Sequence, residues 1–145
     1  MKVGLDTNIL VELLTRNSVR HVSTRACYER HRKAGVEFVV TGHALLEAFS
    51  VLSRSPKPVG VPPLEAERLL REGFGNATIA PFGSGLAWDA IRHTLSQGYW
   101  GGRVYDAAIA LSTYEAGARL LLTWNVRDLH AVAPVGLEVR QPEER

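Results

Sequence analysis

The sequence predicts an α/β protein, a three-layer α/β/α sandwich around a central, mainly parallel β-sheet. Short apolar segments alternate with longer segments of helical periodicity along the chain, which is typical of βαβ units with right-handed crossovers. The short segments are apolar on successive residues rather than on alternate ones. Strands that are covered by helices on both faces have this pattern.

Five short segments are predicted to be strands, and helical patterns fill the intervals between the first four. The predicted strands are residues 3–5, 37–40, 78–80, 120–123 and 137–139. The predicted helices are residues 7–14, 19–34, 42–54, 61–74, 84–97 and 103–116.

Local signals support several of these helices. In the third, Leu45, Ala48, Phe49 and Leu52 form an apolar stripe, and Thr41 is placed to cap the first turn. The segment "SPKPVGVPP" (55–63) is predicted to be a loop between helices, because its prolines interrupt helical structure. Gly117 follows the last long helix, where a C-terminal cap favours glycine.

Composition limits the class of protein. A chain of 145 residues, 46% hydrophobic and 22% charged, is expected to form one domain over residues 1–145. Its single cysteine, Cys27, cannot form an internal disulfide, and no Cys/His cluster has zinc-like spacing. The sequence shows neither a cleavable leader nor an apolar run of the roughly 18 residues that a membrane span needs. We therefore expect a cytoplasmic protein that does not enter a membrane.

The net charge of +2 is too small to indicate a nucleic-acid partner, but its distribution is uneven. The segment "RNSVRHVSTRACYERHRKAG" (16–35) contains Arg16, Arg20 and Arg25 among its six arginines and lysines, against one glutamate. Such a helix face can neutralise RNA phosphates. The alternative is an ordinary solvated helix face that happens to be basic.

Acidic residues recur near the predicted carboxyl ends of strands, where ligand sites gather in open α/β sheets. Asp6 directly follows the first strand, Glu47 lies in the early turns of the third helix, and Asp106 lies early in an alanine-rich helix. After the fourth strand, "TWNVRDL" brings Thr123, Asn125 and Asp128 into close succession.

Each of these residues also has a structural explanation. Asp6 could cap the helix that it precedes, and Asp106 could complement a helix dipole. Glu47 could lie at the rim of an amphipathic helix, Asn125 and Asp128 are residue types that favour turns and caps, and Thr123 could simply be a β-branched residue at a strand end. Their coincidence at one edge of the sheet changes the balance, because clustered, partly buried carboxylates are costly without a cation.

A divalent cation would relieve this cost. Oxygen ligands without cysteine or a well-placed histidine indicate Mg²⁺, or Mn²⁺ in its place, rather than zinc. Carboxylate-bound Mg²⁺ is typical of phosphodiester chemistry. The five histidines show no spacing that suggests catalysis. Tyr99, Trp100 and Trp124 are candidates for stacking on bases, with a place in the core as the alternative for each.

Four segments together resemble the PIN-domain ribonucleases, and most of all the VapC toxins of toxin–antitoxin pairs. They are "VGLDTNILVELL", the glutamate at 47, "RVYDAAIALSTYEAG" and "LLTWNVRDL", and the resemblance runs from residue 2 to about residue 139. Leu129 stands where the family more often has phenylalanine, a conservative difference in packing.

The resemblance implies an Mg²⁺-dependent endoribonuclease in which an ion activates water and the products carry 5′-phosphate and 3′-hydroxyl ends. By position, Asp6 and Asp106 would bind the metal directly, and Glu47 would bind through water or hold a second ion. Asp128 would supply the fourth acid, because the alternative position, Asn125, is not acidic.

The resemblance further implies supporting roles for Asn8, which would orient Asp6 or a water, and for Thr123 beside the site. It also implies a small antitoxin that blocks the acidic pocket and a homodimer built through helices. The alternative is a catalytically weak PIN-like module that binds RNA or a protein, for which Asn125 is the best argument. A receiver or phosphatase is disfavoured because no lysine lies near a later strand.

Overall fold

The computed structural model describes residues 1–57 and 59–143, in which all five predicted strands are present. The strands are β1 (Lys2–Leu5), β2 (Glu37–Thr41), β3 (Thr78–Ala80), β4 (Leu120–Leu122) and β5 (Glu138–Arg140). The helices are α1 (Thr7–Leu14), α2 (His21–Lys33), α3 (Gly42–Arg54), α4 (Pro63–Phe74), α5 (Ser84–Ser96), α6 (Arg103–Glu115) and α7 (Val126–Val132).

The strands form one parallel sheet in the order β3-β2-β1-β4-β5. From β1 to β3 the chain moves towards one edge, and from β3 to β5 it returns past β1 to the other edge. Because such crossovers are right-handed, this reversal places α1–α4 on one face of the sheet and α5–α7 on the other. The predicted three-layer α/β/α sandwich is confirmed, and the order of connections reverses between β1 and β4.

The centre of the sheet is fully buried. Val3 and Leu5 on β1 are at most 1% exposed and belong to the same core cluster as Ile9 of α1. Gly4 allows α6 to approach the sheet closely, because a Cβ at this position would collide with the methyl group of Thr113. Thr113 lies in the last turn of α6, so this close approach places the end of that helix against β1.

The capping predictions are confirmed. The Ala44 N–H donates to the Thr41 side chain over 3.1 Å at the start of α3, and Gly117 has a φ of +99° after α6. Pro58, inside the predicted loop between α3 and α4, lies outside the described residues. None of the described helices has the length and apolar character that crossing a membrane requires.

Several boundaries and environments differ from the prediction. The strand predicted over residues 120–123 ends at Leu122, β5 lies one residue later than predicted, and β1 and β2 are each one residue longer. The bounds of α1 and α3 are as predicted, whereas those of α2, α4, α5 and α6 shift by one or two residues. α7 was not predicted, because a helix of seven residues has too few turns to show a periodic pattern. Phe49, assigned to the apolar stripe of α3, is 39% exposed, since it lines an open groove between α3 and α4.

Candidate active site

The carboxyl ends of β1 and β4 lie side by side. They are followed directly by two polar residues of the candidate site, Asp6 and Thr123. The Asp6 N–H donates to the Leu122 carbonyl over 3.0 Å, which continues the pairing of the two strands by one residue. Ligand sites in open α/β sheets form where the strand order reverses, and the β1–β4 junction is that point. Asp6 also caps α1, since its Oδ1 accepts from the Thr7 N–H over 2.8 Å. The structural explanation of Asp6 therefore holds, but it uses only one of the two carboxylate oxygens.

Thr123 holds the other oxygen of Asp6. Its Oγ1 donates to Asp6 Oδ2 over 2.7 Å and accepts from the Asn125 N–H over 2.9 Å and from Asn8 Nδ2 over 3.2 Å. Asn8 Nδ2 also lies 3.3 Å from Asp6 Oδ2, and Asn8 Oδ1 accepts from the Trp124 N–H. Asp6 is 4% exposed and Thr123 is fully buried. These contacts fix the orientation of the Asp6 carboxylate.

Glu47 comes from the second turn of α3 and is joined to the same site through Thr7. Glu47 Oε2 accepts from Thr7 Oγ1 over 2.8 Å, and Glu47 Oε1 lies 2.7 Å from His43 Nε2. An ionised carboxylate can only accept hydrogen bonds, so the proton of this contact lies on His43 Nε2. The His43 ring stacks on Tyr105 of α6, with centroids 5.2 Å apart and planes within 5°.

Asp128 of α7 is the fourth acid that the sequence analysis singled out. Its Oδ1 lies 3.1 Å from Arg103 Nη2, and its Oδ2 accepts from Asn125 Nδ2 over 3.1 Å. The Arg103 guanidinium in turn lies over the Tyr99 ring, 4.8 Å from its centroid. Asn125 is exposed, and its side chain contributes an amide donor to Asp128.

The pKa of Asp106, in the first turn of α6, shows that the acids act on one another. Burial, the largest cause, and repulsion from Asp6, Asp128 and Glu47 together raise this pKa to about 6, while Arg103 opposes these effects. We refer to Asp6, Glu47, Asp106 and Asp128 as the acidic cluster. The structure thus brings together the four acids that the sequence singled out.

The pKa of Asp6 is raised above its ordinary value for related reasons. Burial is the main cause and the Glu47 charge adds to it, whereas the hydrogen bonds from Thr123 and Thr7 lower it. The carboxylates of the acidic cluster therefore favour the binding of a proton or a cation, because either one offsets their mutual repulsion.

The donors of the acidic cluster suit a hydrated hard cation. They are carboxylate oxygens, which Mg²⁺ and Mn²⁺ prefer. Among the described residues, no group of three or more Asp, Glu, His or Cys side chains is placed to hold a metal ion. Mg²⁺ does not need such a group, because it keeps several waters and is usually bound by one or two carboxylates. The residues therefore fit a hydrated Mg²⁺ ion that is held by one or two carboxylates better than they fit a closed structural metal site.

The predicted RNA-contact arginines differ in their surroundings. Arg20 lies over the Trp124 ring, 4.7 Å from its centroid, and the Trp124 backbone is hydrogen-bonded to Asn8 in the site. Arg25 is paired with Glu29 at 3.2 Å on the same helix, so its charge is partly compensated. Arg16 is exposed in the turn after α1.

The three candidate aromatic residues also differ in how far they are buried. Trp124 is buried, with its ring N–H donating to Thr24 over 2.9 Å, so the core alternative holds for it. Tyr99 is half-buried. Trp100 is 77% exposed, and the core alternative is wrong for this residue because it lies in the turn before α6.

Sequence reasoning missed Thr7, His43, Arg103 and Tyr105. His43 and Glu47 are four residues apart on one helix, a spacing that places side chains in contact, so this pair could have been found. The contact of Arg103 with Asp128 depends on the packing of α6 against α7, and no local pattern reports it.

Comparisons with known proteins agree with this architecture. A family model described as the PIN domain matches residues 3–133. Ribonuclease VapC27 of Mycobacterium tuberculosis is 33% identical over 138 residues, which is 94% of each chain.

Two solved structures, each below 25% identity, support the fold. VapBC2 from Rickettsia felis, bound to a DNA fragment from their promoter, has a TM-score of 0.71 at 21% identity over 97% of this chain and 98% of that one. VapC20 of M. tuberculosis, a sarcin-ricin loop cleaving toxin, has a TM-score of 0.64 at 15% identity over 82% and 86% of the two chains. The chain belongs to the PIN-domain family and, within it, to the VapC type, as its sequence motifs predicted.

Proposed function

We propose that this chain is a divalent-metal-dependent endoribonuclease that uses Mg²⁺, with Mn²⁺ as a substitute, and that it is the toxin of a type II toxin–antitoxin pair. The observation that carries the proposal is the convergence of the acidic cluster at the reversal of strand order between β1 and β4. The 33% identity to Ribonuclease VapC27 supports a ribonuclease. The name of VapC20 as a sarcin-ricin loop cleaving toxin supports RNA as the substrate class.

The roles of the side chains follow from their contacts. Asp6 and Asp106 would bind the ion directly, and Glu47 would bind it through water or help to hold a second ion. Thr123 and Asn8 keep the Asp6 carboxylate in one orientation through the hydrogen bonds on its Oδ2. When bound, the ion supplies Lewis acidity, which activates water and offsets the charge that develops on the phosphate. No side-chain nucleophile is required, and the products would carry 5′-phosphate and 3′-hydroxyl ends.

Asp128 rather than Asn125 is proposed as the fourth acid. The Asp128 carboxylate is close enough to Asp106 to raise its pKa. Asn125 is exposed and donates its amide to Asp128, so it supports the carboxylate instead of replacing it.

RNA would approach over the start of α2. Arg20 is the best supported of the proposed phosphate contacts, because it lies over Trp124 next to the site. Arg16 and Arg25 are proposed to extend this basic surface along the chain. Trp100 and Tyr99, just before α6, remain candidates for stacking on bases.

We propose a small antitoxin protein as the partner, and a homodimer in the cytoplasm as the working form. The solved VapBC2 structure supports the antitoxin, since VapBC2 is a toxin–antitoxin complex that is bound there to a DNA fragment from its promoter. A short neighbouring gene that encodes a protein with a DNA-binding N-terminus would test the toxin assignment. Its absence would favour an independent nuclease.

The decisive test is cleavage of RNA by variants of the acidic cluster. Asp6→Asn and Asp106→Asn should each abolish cleavage of a mixed RNA substrate in Mg²⁺ or Mn²⁺ while the circular dichroism spectrum stays unchanged. Asp89→Asn, at an exposed position on α5, is the matched control and should cleave like the wild type. Full activity in either cluster variant would contradict the mechanism.

Two observations favour a second candidate, a module that binds RNA without cutting it. Among the described residues no group of three or more Asp, Glu, His or Cys side chains is placed to hold a metal ion, and Asn125 is not an acid. This module would bind RNA equally well with EDTA or Mn²⁺ and would give no Mn²⁺-dependent products from a labelled RNA, whereas the proposed nuclease would.

A further inference from the structure

Glu47 is a partly exposed member of the acidic cluster, and both of its carboxylate oxygens are held by other side chains. Its side chain is 43% exposed, yet its two oxygens are held by different elements, Oε2 by Thr7 of α1 and Oε1 by His43 of α3. The His43 imidazole is itself held flat against Tyr105 of α6. A side chain with this much access to solvent is thereby restricted to one direction.

Asp128 is held in a similar way on the other side of the acidic cluster. Its side chain is 35% exposed, and its Oδ1 is paired with Arg103 at 3.1 Å. The Arg103 guanidinium lies over the ring of Tyr99. Both outer acids therefore contact a nitrogen donor that is in turn stacked on a tyrosine.

Glu47 and Asp128, the two outer acids, need such restraint because the negative charges of the acidic cluster repel one another. Asp6 is buried and cannot move away. Glu47 and Asp128 can lower the repulsion by turning into solvent, where their charges would be screened. A contact that holds them inward opposes this movement and keeps the cluster ready for a cation.

We propose that His43 and Arg103 are positioning residues that hold Glu47 and Asp128 at the metal site, an inference that rests on the proposed metal-dependent nuclease. They act on the carboxylates and not on the RNA. Partners of metal-binding carboxylates orient their oxygens, and losing such a partner typically weakens metal affinity or activity by about 10–100-fold.

The direct test is titration of Mn²⁺ into the purified chain by calorimetry at one fixed pH. We expect His43→Ala and Arg103→Ala each to weaken Mn²⁺ binding by about tenfold or more. His43→Gln should recover most of the affinity, because the glutamine amide places a donor near the position of imidazole Nε2. Arg103→Lys should recover part of it through its charge.

Matched controls come from exposed positions. His130→Ala on α7 and Arg92→Ala on α5 remove the same side chains outside the two contacts. They should bind Mn²⁺ like the wild type. Thermal melting of every variant reports folding separately from metal binding.

A kinetic measurement distinguishes positioning from a general loss of structure. Cleavage by His43→Ala should require a higher Mn²⁺ concentration and should approach the wild-type rate once Mn²⁺ is saturating. A rate that stays low at saturating Mn²⁺, with affinity unchanged, would overturn the inference and assign His43 a direct part in the reaction.

The remaining outcomes separate this inference from the proposed function. Unchanged or tighter Mn²⁺ binding in folded His43→Ala and Arg103→Ala overturns the inference alone. A wild-type chain that binds Mn²⁺ but cuts no RNA overturns the nuclease and leaves the positioning role standing. A wild-type chain that binds no Mn²⁺ overturns both.

Discussion

Replacing Asp106 with asparagine should stabilise the metal-free protein at neutral pH, although the same change should abolish cleavage. Asp106 has a pKa of about 6 in the fold, against an ordinary value of 3.8, because of burial and of repulsion from its acidic neighbours. An acid whose pKa is raised by folding opposes folding once it is ionised. Asparagine has almost the same shape and removes the charge.

The size and pH range of this effect follow from the pKa. A difference between 3.8 and about 6 corresponds to about 3 kcal/mol. Because Asp106 is only half-buried, solvent screening reduces the expected value to about 1–2 kcal/mol. The penalty is absent below pH 3.8, grows as the pH rises from 3.8 to about 6, and is constant above that range. The advantage of Asp106→Asn should follow the same course.

Urea unfolding of both proteins in EDTA, at intervals from pH 4 to 8, measures this difference directly. At pH 7.5 the free energy of unfolding of the variant should exceed that of the wild type by about 1–2 kcal/mol, which in thermal melting corresponds to about 2–8 °C, and the two proteins should converge towards pH 4. Added Mn²⁺ should stabilise the wild type more than the variant, by mass action. Asp89→Asn should change neither curve. An Asp106→Asn protein that is no more stable than the wild type at pH 7.5 would refute the electrostatic account of the site.

Two further predictions concern the surroundings of the acids. Thr123→Val should cost about 1–3 kcal/mol in urea unfolding at pH 7.5, because it removes the buried donor that lowers the pKa of Asp6, whereas Thr123→Ser should restore most of the loss. The loss should shrink in acid as Asp6 becomes protonated, and a pH-independent loss would point to packing instead. Arg20→Ala should weaken binding of RNA in EDTA and reduce the slope of log K against log salt by about 0.7, whereas Arg25→Ala should have less effect because of Glu29. Equal slopes for the wild type and Arg20→Ala in a filter-binding titration would reject this surface.

The fold was predictable because its signals are local. The strands are short and buried on both faces, so their apolar runs stand out, and Thr41 and Gly117 mark helix ends through backbone requirements that few other residues meet. The order of the strands is a property of the whole chain and was not predicted. Trp100 could not be placed, since an aromatic residue in a turn gives no periodic signal of which way it faces.

The acids of the site were predictable for a different reason. Asp6, Glu47 and Asp106 come from the ends of successive elements, and the geometry of a parallel sheet brings those ends to one edge. The partners that orient the acids were not predictable in the same way. The contact between Arg103 and Asp128 joins the beginnings of two helices that are distant in sequence, and it exists only because α6 packs against α7.

The carboxylates of the acidic cluster are oriented by donors of the fold itself. Both oxygens of Asp6 are hydrogen-bonded, and so are both oxygens of Glu47. These contacts hold the acids near one another, so the fold bears the cost of their repulsion, and a cation that binds recovers it. This arrangement explains why the same acids should both destabilise the metal-free protein and be required for its activity.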